Sequence, residues 1–162
     1  MIAALIGESL RRKGLKLAIA ESCTGGLLSS LITDVPGSSD YFKGAIVAYD
    51  DSVKISQLGV RKATLASFGA VSRRTAAEMA KGARSRLKAD ISAAVTGIAG
   101  PGGGTPKKPV GLVFIAVSKG SRTTVKRFLF KGGRKSVKKS SAQAALKMLA
   151  DAAGIKTDGG LK

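Results

Sequence analysis

The chain has 162 residues, 44% hydrophobic and only 4% aromatic, with 28 Lys and Arg against 10 Asp and Glu. That length suits one domain, and with no Trp the core must be built from Ala, Val, Ile and Leu, as in a sheet covered by helices. A single Cys and no His exclude an internal disulfide and leave no donor set for zinc, and no apolar run reaches the roughly 18 residues of a membrane span.

Residues 2 to 12 read as a short amphipathic helix ending at Lys13-Gly14, and its charges follow its apolar part, opposite to a signal peptide. A cytoplasmic protein is therefore expected. Leu15 to Ala20 (LKLAIA) is a compact apolar run typical of a buried strand. The turn Glu21-Ser22-Cys23-Thr24-Gly25-Gly26 leads into LLSSLITDV, whose Leu27, Leu28, Leu31 and Ile32 have helical spacing, and Pro36-Gly37 closes that helix. Phe42 to Tyr49 reads as a second strand and Asp50 to Leu58 as a short helix whose acidic start suits its dipole.

Residues 72 to 89 form a long helix opened by a Ser72 cap, with Ala76, Met79, Ala80, Ala83 and Leu87 inward. Ile91 to Val95 is a third strand running into the loop TGIAGPGGG (96 to 104). Val110 to Ser118 and Thr123 to Phe130 form a hairpin, and a helix from about Lys135 to Ala152 completes the chain. The pattern predicts an α/β fold: a three-layer α/β/α sandwich with a mixed, mostly parallel central sheet and a late antiparallel hairpin. Residues 1–154 are expected to form a single domain and 155–162 a frayed tail.

Charge is unevenly spread. Residues 105 to 162 hold 14 of the basic side chains and 2 of the acidic ones. Such a surface attracts polyanions and phosphorylated small molecules alike. A single-strand binder would also need an aromatic stacking platform, which is lacking.

Loops leaving the carboxyl ends of parallel strands collect at one edge of an α/β sheet, and here those loops follow Ala20, Tyr49 and Val95. Ser22 lies between a strand and a helix amino terminus, whose N–H groups and dipole are expected to stabilise an oxyanion. Ser22 or Thr24 capping that helix is the plainer reading, and Cys23 is a rival nucleophile. With His absent, the base for a serine is Lys54, aided by Tyr49; the plainer readings are a solvated helix lysine and a core-edge tyrosine. The third loop can bring backbone N–H groups against a phosphate or an oxyanion, but it lacks G-x-x-x-x-G-K-[ST], which disfavours ATP hydrolysis.

AESCTGG (20 to 26), VPGSSDYFKGAIVAY (35 to 49), GAVS (69 to 72) and TGIAGPGGGTPKKPVG (96 to 111) together resemble the CinA carboxy-terminal domain family, whose stand-alone members include nicotinamide-mononucleotide deamidases. The resemblance implies hydrolysis of nicotinamide mononucleotide to nicotinate mononucleotide and ammonia, with a serine nucleophile and neither metal nor cofactor. It assigns Ser22 as nucleophile and Tyr49 and Lys54 to proton transfer. Thr96 and Gly97 fall in its oxyanion and substrate-orienting loop, and Ser39, Arg134, Gly25 and Gly26 at substrate-binding positions.

Many relatives read Tyr-(Ser/Thr)-Asn where this chain has Tyr49-Asp50-Asp51, and Gly-Asp-Arg followed by an arginine where it has Gly132-Gly133-Arg134 and Lys138. Those changes are expected to loosen the substrate grip at Arg134. ADP-ribose hydrolysis, which goes with an additional amino-terminal domain in related members, is expected to be absent. The expected partner is a small-molecule nucleotide substrate, with no membrane and no specific nucleic acid, and a homo-oligomer, dimer or higher, is compatible with the family. Two other readings stay open: a nucleotide-binding module without catalysis, and a nucleic-acid-associated basic protein.

Overall fold

A computed structural model describes residues 1–155. Its elements in chain order are α1 (Ile2–Lys13), β1 (Leu17–Glu21), α2 (Leu27–Thr33), a 3-10 turn (Ser38–Asp40), β2 (Phe42–Val47), α3 (Asp51–Leu58), α4 (Lys62–Phe68), α5 (Arg73–Arg86), β3 (Ile91–Gly97), β4 (Leu112–Lys119), β5 (Arg122–Leu129) and α6 (Arg134–Ala152). The sheet order is β2-β1-β3-β4-β5, with β1 parallel to both β2 and β3 and the β4–β5 hairpin antiparallel. The expected three-layer architecture is present.

Alternation along the strands sorts the core into two halves. Leu17, Ile19, Ile91, Val95, Val113, Ile115 and Val117 face α1, α2 and α6. Ala18, Ala20, Ala94 and Ala116 face α5 and α3, meeting Ala76, Met79, Ala80 and Ala83. Small residues on both sides let α5 lie close to the sheet. Gly82 continues the same logic toward α3, because a Cβ there would stand 1.7 Å from the Leu58 carbonyl oxygen.

Most boundaries shift by up to three residues, β1 to Leu17–Glu21 and β2 to an end at Val47 short of Tyr49, and three differences go further. Helix α4 occupies residues 62–68, where no element was expected, because its seven residues are too few to establish a period. Strand β3 continues through Thr96 and Gly97, which pair with Phe114 and Val113 and so belong to the sheet, not to the glycine-rich loop. Ile155 packs against the core and its N–H bonds to Ala150 O at 2.9 Å, whereas the rest of the expected tail lies outside the described residues. Among the described residues no helix is long and apolar enough to cross a membrane.

Gly82→Ala is expected to lower unfolding free energy by about 2 kcal/mol, as overpacking forces α5 from α3. Urea denaturation of the purified variant measures it.

Candidate active site

Strand β1 has β2 on one side and β3 on the other, so the chain reverses its direction of travel across the sheet at β1's carboxyl end. Two backbone bonds fix that point: Ala48 N–H to Glu21 O at 2.8 Å, and Ser22 N–H to Val95 O at 2.9 Å. Ser22 therefore sits in register between the residues that precede Tyr49 and Thr96. Continued alternation places it on the face of Ala18 and Ala20, which is the α3 and α5 face. The structure thus brings Ser22, Tyr49, Lys54, Thr96 and Gly97 to one edge.

Lys54, in the first turn of α3, is 1% exposed. Its Nζ donates to Tyr49 O at 3.1 Å and lies 3.4 Å from Asp51 Oδ1. A solvated helix lysine is ruled out by that burial. Tyr49 is no core-edge residue either, being 59% exposed. Its hydroxyl accepts from Arg134 Nη2 at 2.8 Å, while Arg134 Nη1 donates to Gly100 O at 2.7 Å, so α6's first residue ties the second and third loops together. Lys138 lies one turn further on, its Nζ 3.6 Å from where a Cβ on Gly25 would be.

Thr96 Oγ1 donates to Ala70 O at 2.8 Å, anchoring the segment before α5. Ile98 N–H donates across to Leu112 O, so the N–H of Gly97 projects the other way, toward the place where β1 ends. Gly97 itself allows β4 to approach, since a Cβ would stand 2.6 Å from Val113 Cγ2.

The amino terminus of α2 does not serve as expected. The Glu21 carboxylate, fully buried, accepts Gly26 N–H at 3.0 Å and Leu28 N–H at 3.1 Å on Oε2, and Ser29 N–H at 2.8 Å plus the Ser29 hydroxyl on Oε1. Leu27 N–H is taken by Thr24 O. With the positive helix end already neutralised by a carboxylate, it has no free donors for an oxyanion. The plainer reading of Ser22 and Thr24 as caps fails as well: Gly26 is the N-cap, with φ of 99° and no side-chain cap bond, and Thr24 Oγ1 is buried without a partner among the described residues. Glu21 is the functional residue that sequence reasoning missed. Its signal was an acidic residue ending an apolar run directly before a turn.

Ser39 is not brought to this edge. It precedes β2, so within one chain it lies at the amino ends of the parallel strands, opposite Ser22.

A family model described as the CinA C-terminal domain matches residues 1–153. This chain belongs to that family. A putative competence-damage inducible protein of Halothermothrix orenii is 54% identical over 142 residues, 86% of this chain and 34% of the relative. A CinA-like protein of Leptospira borgpetersenii is 50% identical over 143 residues, 88% of this chain and again 34% of the relative. The chain thus spans about a third of the length of the curated relatives it matches. Among solved structures, a competence/damage inducible protein from Agrobacterium tumefaciens has a TM-score of 0.91 at 41% identity, covering 94% of this chain and 93% of that one. A CinA superfamily protein from Escherichia coli has a TM-score of 0.90 at 32% identity, covering 93% of this chain and 88% of that one.

In this CinA domain the departures from the common pattern have definite places. Asp51 stands beside Lys54 Nζ. Gly133 is the N-cap of α6, and Arg134 after it is fixed at two points rather than loosened.

Cys23 turns into the core, and burial pushes its thiol up to about 11, with its own backbone N–H and the Lys138 and Arg134 charges only partly offsetting that. A thiol raised by burial is held in its protonated form, so Cys23 is a poor nucleophile. Iodoacetamide at pH 8 is expected to leave Cys23 unmodified in the native protein and to alkylate it after urea unfolding, as read by mass spectrometry. Glu21→Gln is expected to cost about 2 kcal/mol, since an amide presents only one acceptor oxygen to the four donors. Hydrogen exchange at Gly26, Leu28 and Ser29 should then accelerate ahead of the rest of the chain.

Proposed function

We propose that this domain hydrolyses the carboxamide of nicotinamide mononucleotide, giving nicotinate mononucleotide and ammonia, with Ser22 as nucleophile. The observation that carries the reading is Lys54: a lysine buried to 1% exposure at the edge where β1 delivers a serine, in a chain with no His. Burying a lysine is costly unless its head group is paired, and here its partners, the Tyr49 carbonyl and Asp51, belong to the same edge.

Lys54, in its amine form, takes the Ser22 Oγ proton as Oγ attacks the carboxamide carbon. The Asp51 carboxylate and the Tyr49 carbonyl then favour the ammonium just formed. Tyr49's hydroxyl accepts from Arg134, so its own hydrogen is free to relay a proton between Lys54 and the substrate nitrogen. The N–H of Gly97 faces the developing oxyanion. Collapse breaks the C–N bond, the leaving nitrogen takes the proton from Lys54 and departs as ammonia, and an ester to Ser22 remains. Water adds to that ester, giving its proton back through Lys54, and releases the carboxylic acid. Arg134 and Lys138, at the same edge, suit the substrate's phosphate.

Purified protein incubated with nicotinamide mononucleotide should release ammonia. Ser22→Ala is expected to reduce the rate by about a thousandfold or more, while Cys23→Ala keeps most of it. Activity that survives Ser22→Ala and vanishes in Cys23→Ala would overturn the assignment. Mononucleotide binding by calorimetry with no ammonia over long incubation would leave a binding module in place of an enzyme.

A further inference from the structure

A cavity of about 490 Å³ lies far from Ser22, between the β4–β5 hairpin and the carboxyl end of α6. Register places Lys119 opposite Arg122 and Val117 opposite Thr124, and alternation adds Lys126 to the same face. All five line the cavity, with Met148 from α6. Lys119 pairs with Ile91, at the amino ends of the parallel strands, so the cavity stands roughly 20 Å along β4 from the partner of Gly97.

Cations on an outer strand have a plain use, since they deter pairing with other chains. That use accounts for Arg122 and Lys126 on β5 but not for Lys119. Lys119 is on β4, which is already paired on both sides. The free edge of β5 is meanwhile met by Arg73, whose Nη1 donates to Val125 O at 2.6 Å. Lys119 Nζ donates to Ala152 O, the last residue of α6, at 2.9 Å, which fixes the ammonium at the cavity with two further N–H donors.

Three cations against the one carboxylate of Asp151 give the lining a net charge that matches a dianion. The volume falls within the usual range for small-molecule sites. Val117 and Met148 add an apolar wall beside the charges.

We propose that this cavity is a second anion site, binding a phosphorylated small molecule of mononucleotide size. Lys119, Arg122, Lys126 and the Thr124 hydroxyl hold the phosphate, and Val117 and Met148 contact the ring. The site is independent of the hydrolytic reading, because it shares no residue with the Ser22 edge.

The test is an NMR titration of protein labelled with ¹⁵N and with ¹³C at the Met methyls, at physiological ionic strength. The probes are adenosine 5′-monophosphate, inorganic phosphate and adenosine. The monophosphate should give saturable shifts at Lys119 and Thr124 and at the Met148 methyl. Phosphate alone should move the same amides more weakly and leave Met148 still, and adenosine should move none of them. The double variant R122A/K126A should keep the spectrum of the folded protein and weaken the monophosphate by about tenfold or more, whereas Arg134→Ala should leave this site unchanged. Equal affinity for phosphate and the monophosphate would overturn the mononucleotide assignment. Shifts that never saturate at millimolar ligand, or an unweakened double variant, would overturn the site itself.

Discussion

The parallel ladder through Glu21 is the constraint on which the rest of this molecule depends. It ends β1 level with Val47 of β2, while β3 runs on through Thr96 and Gly97 beside the point where β1 stops. Alternation then does two things within two residues. Glu21 turns toward α2 and grips its first N–H groups, and continued alternation turns Ser22 to the other face, the side of the sheet that carries α3 and α5. A one-residue slip of β1 would exchange those faces, burying the serine against α2 and turning the carboxylate to the α3 and α5 face.

That division of labour changes where oxyanion stabilisation must come from. A serine just before a helix suggests that the helix end stabilises charge, and here the carboxylate of the preceding residue has claimed that end. Helix α2 has only seven residues, so its dipole is weak and mainly a matter of its first few N–H groups. Glu21 makes it a rigid buttress for the turn. With the helix end claimed, the Gly97 N–H at the sheet edge is a donor available for chemistry, and a strand residue paired to β4 is held more firmly than a flexible loop would be.

Much of this was legible in the chain. The buried strand at Leu17–Glu21, the Ser72 cap, which accepts Thr75 N–H at 3.1 Å, and the late hairpin all carry local signals of period, cap or turn. The convergence of Ser22, Tyr49, Lys54, Thr96 and Gly97 was legible too, because topology alone dictates which strand ends share an edge. What was not legible depended on partners distant in sequence or on elements too short for periodicity. Glu21 looks like any acidic residue at a turn until Gly26, Leu28 and Ser29 are seen to donate to it. Helix α4 rests on Thr64, whose hydroxyl donates to Glu78 on α5, and on Arg61, paired with the same carboxylate at 2.7 Å. Ser39 was assigned through resemblance alone, and no feature of the single chain carries it to the other strand ends.

The basic excess also has an arrangement that composition hides. Helix α6 runs from one edge of the sheet to the other, with Arg134 and Lys138 at its beginning near the Ser22 turn and Ala152 at its end, held by Lys119. Among the described residues, cations thus gather at both ends of this helix, with Lys147 between them beside Phe128 and Phe130. A groove that tracks a nucleic-acid backbone needs cations in a continuous row with faces on which bases stack. Phe128 and Phe130 lie between the two ends, but they are stacked on each other at 5.3 Å and packed against the core. Discrete cationic ends with apolar neighbours suit compact anions, which is the property that links the substrate proposed for the Ser22 edge with the ligand proposed for the cavity opposite.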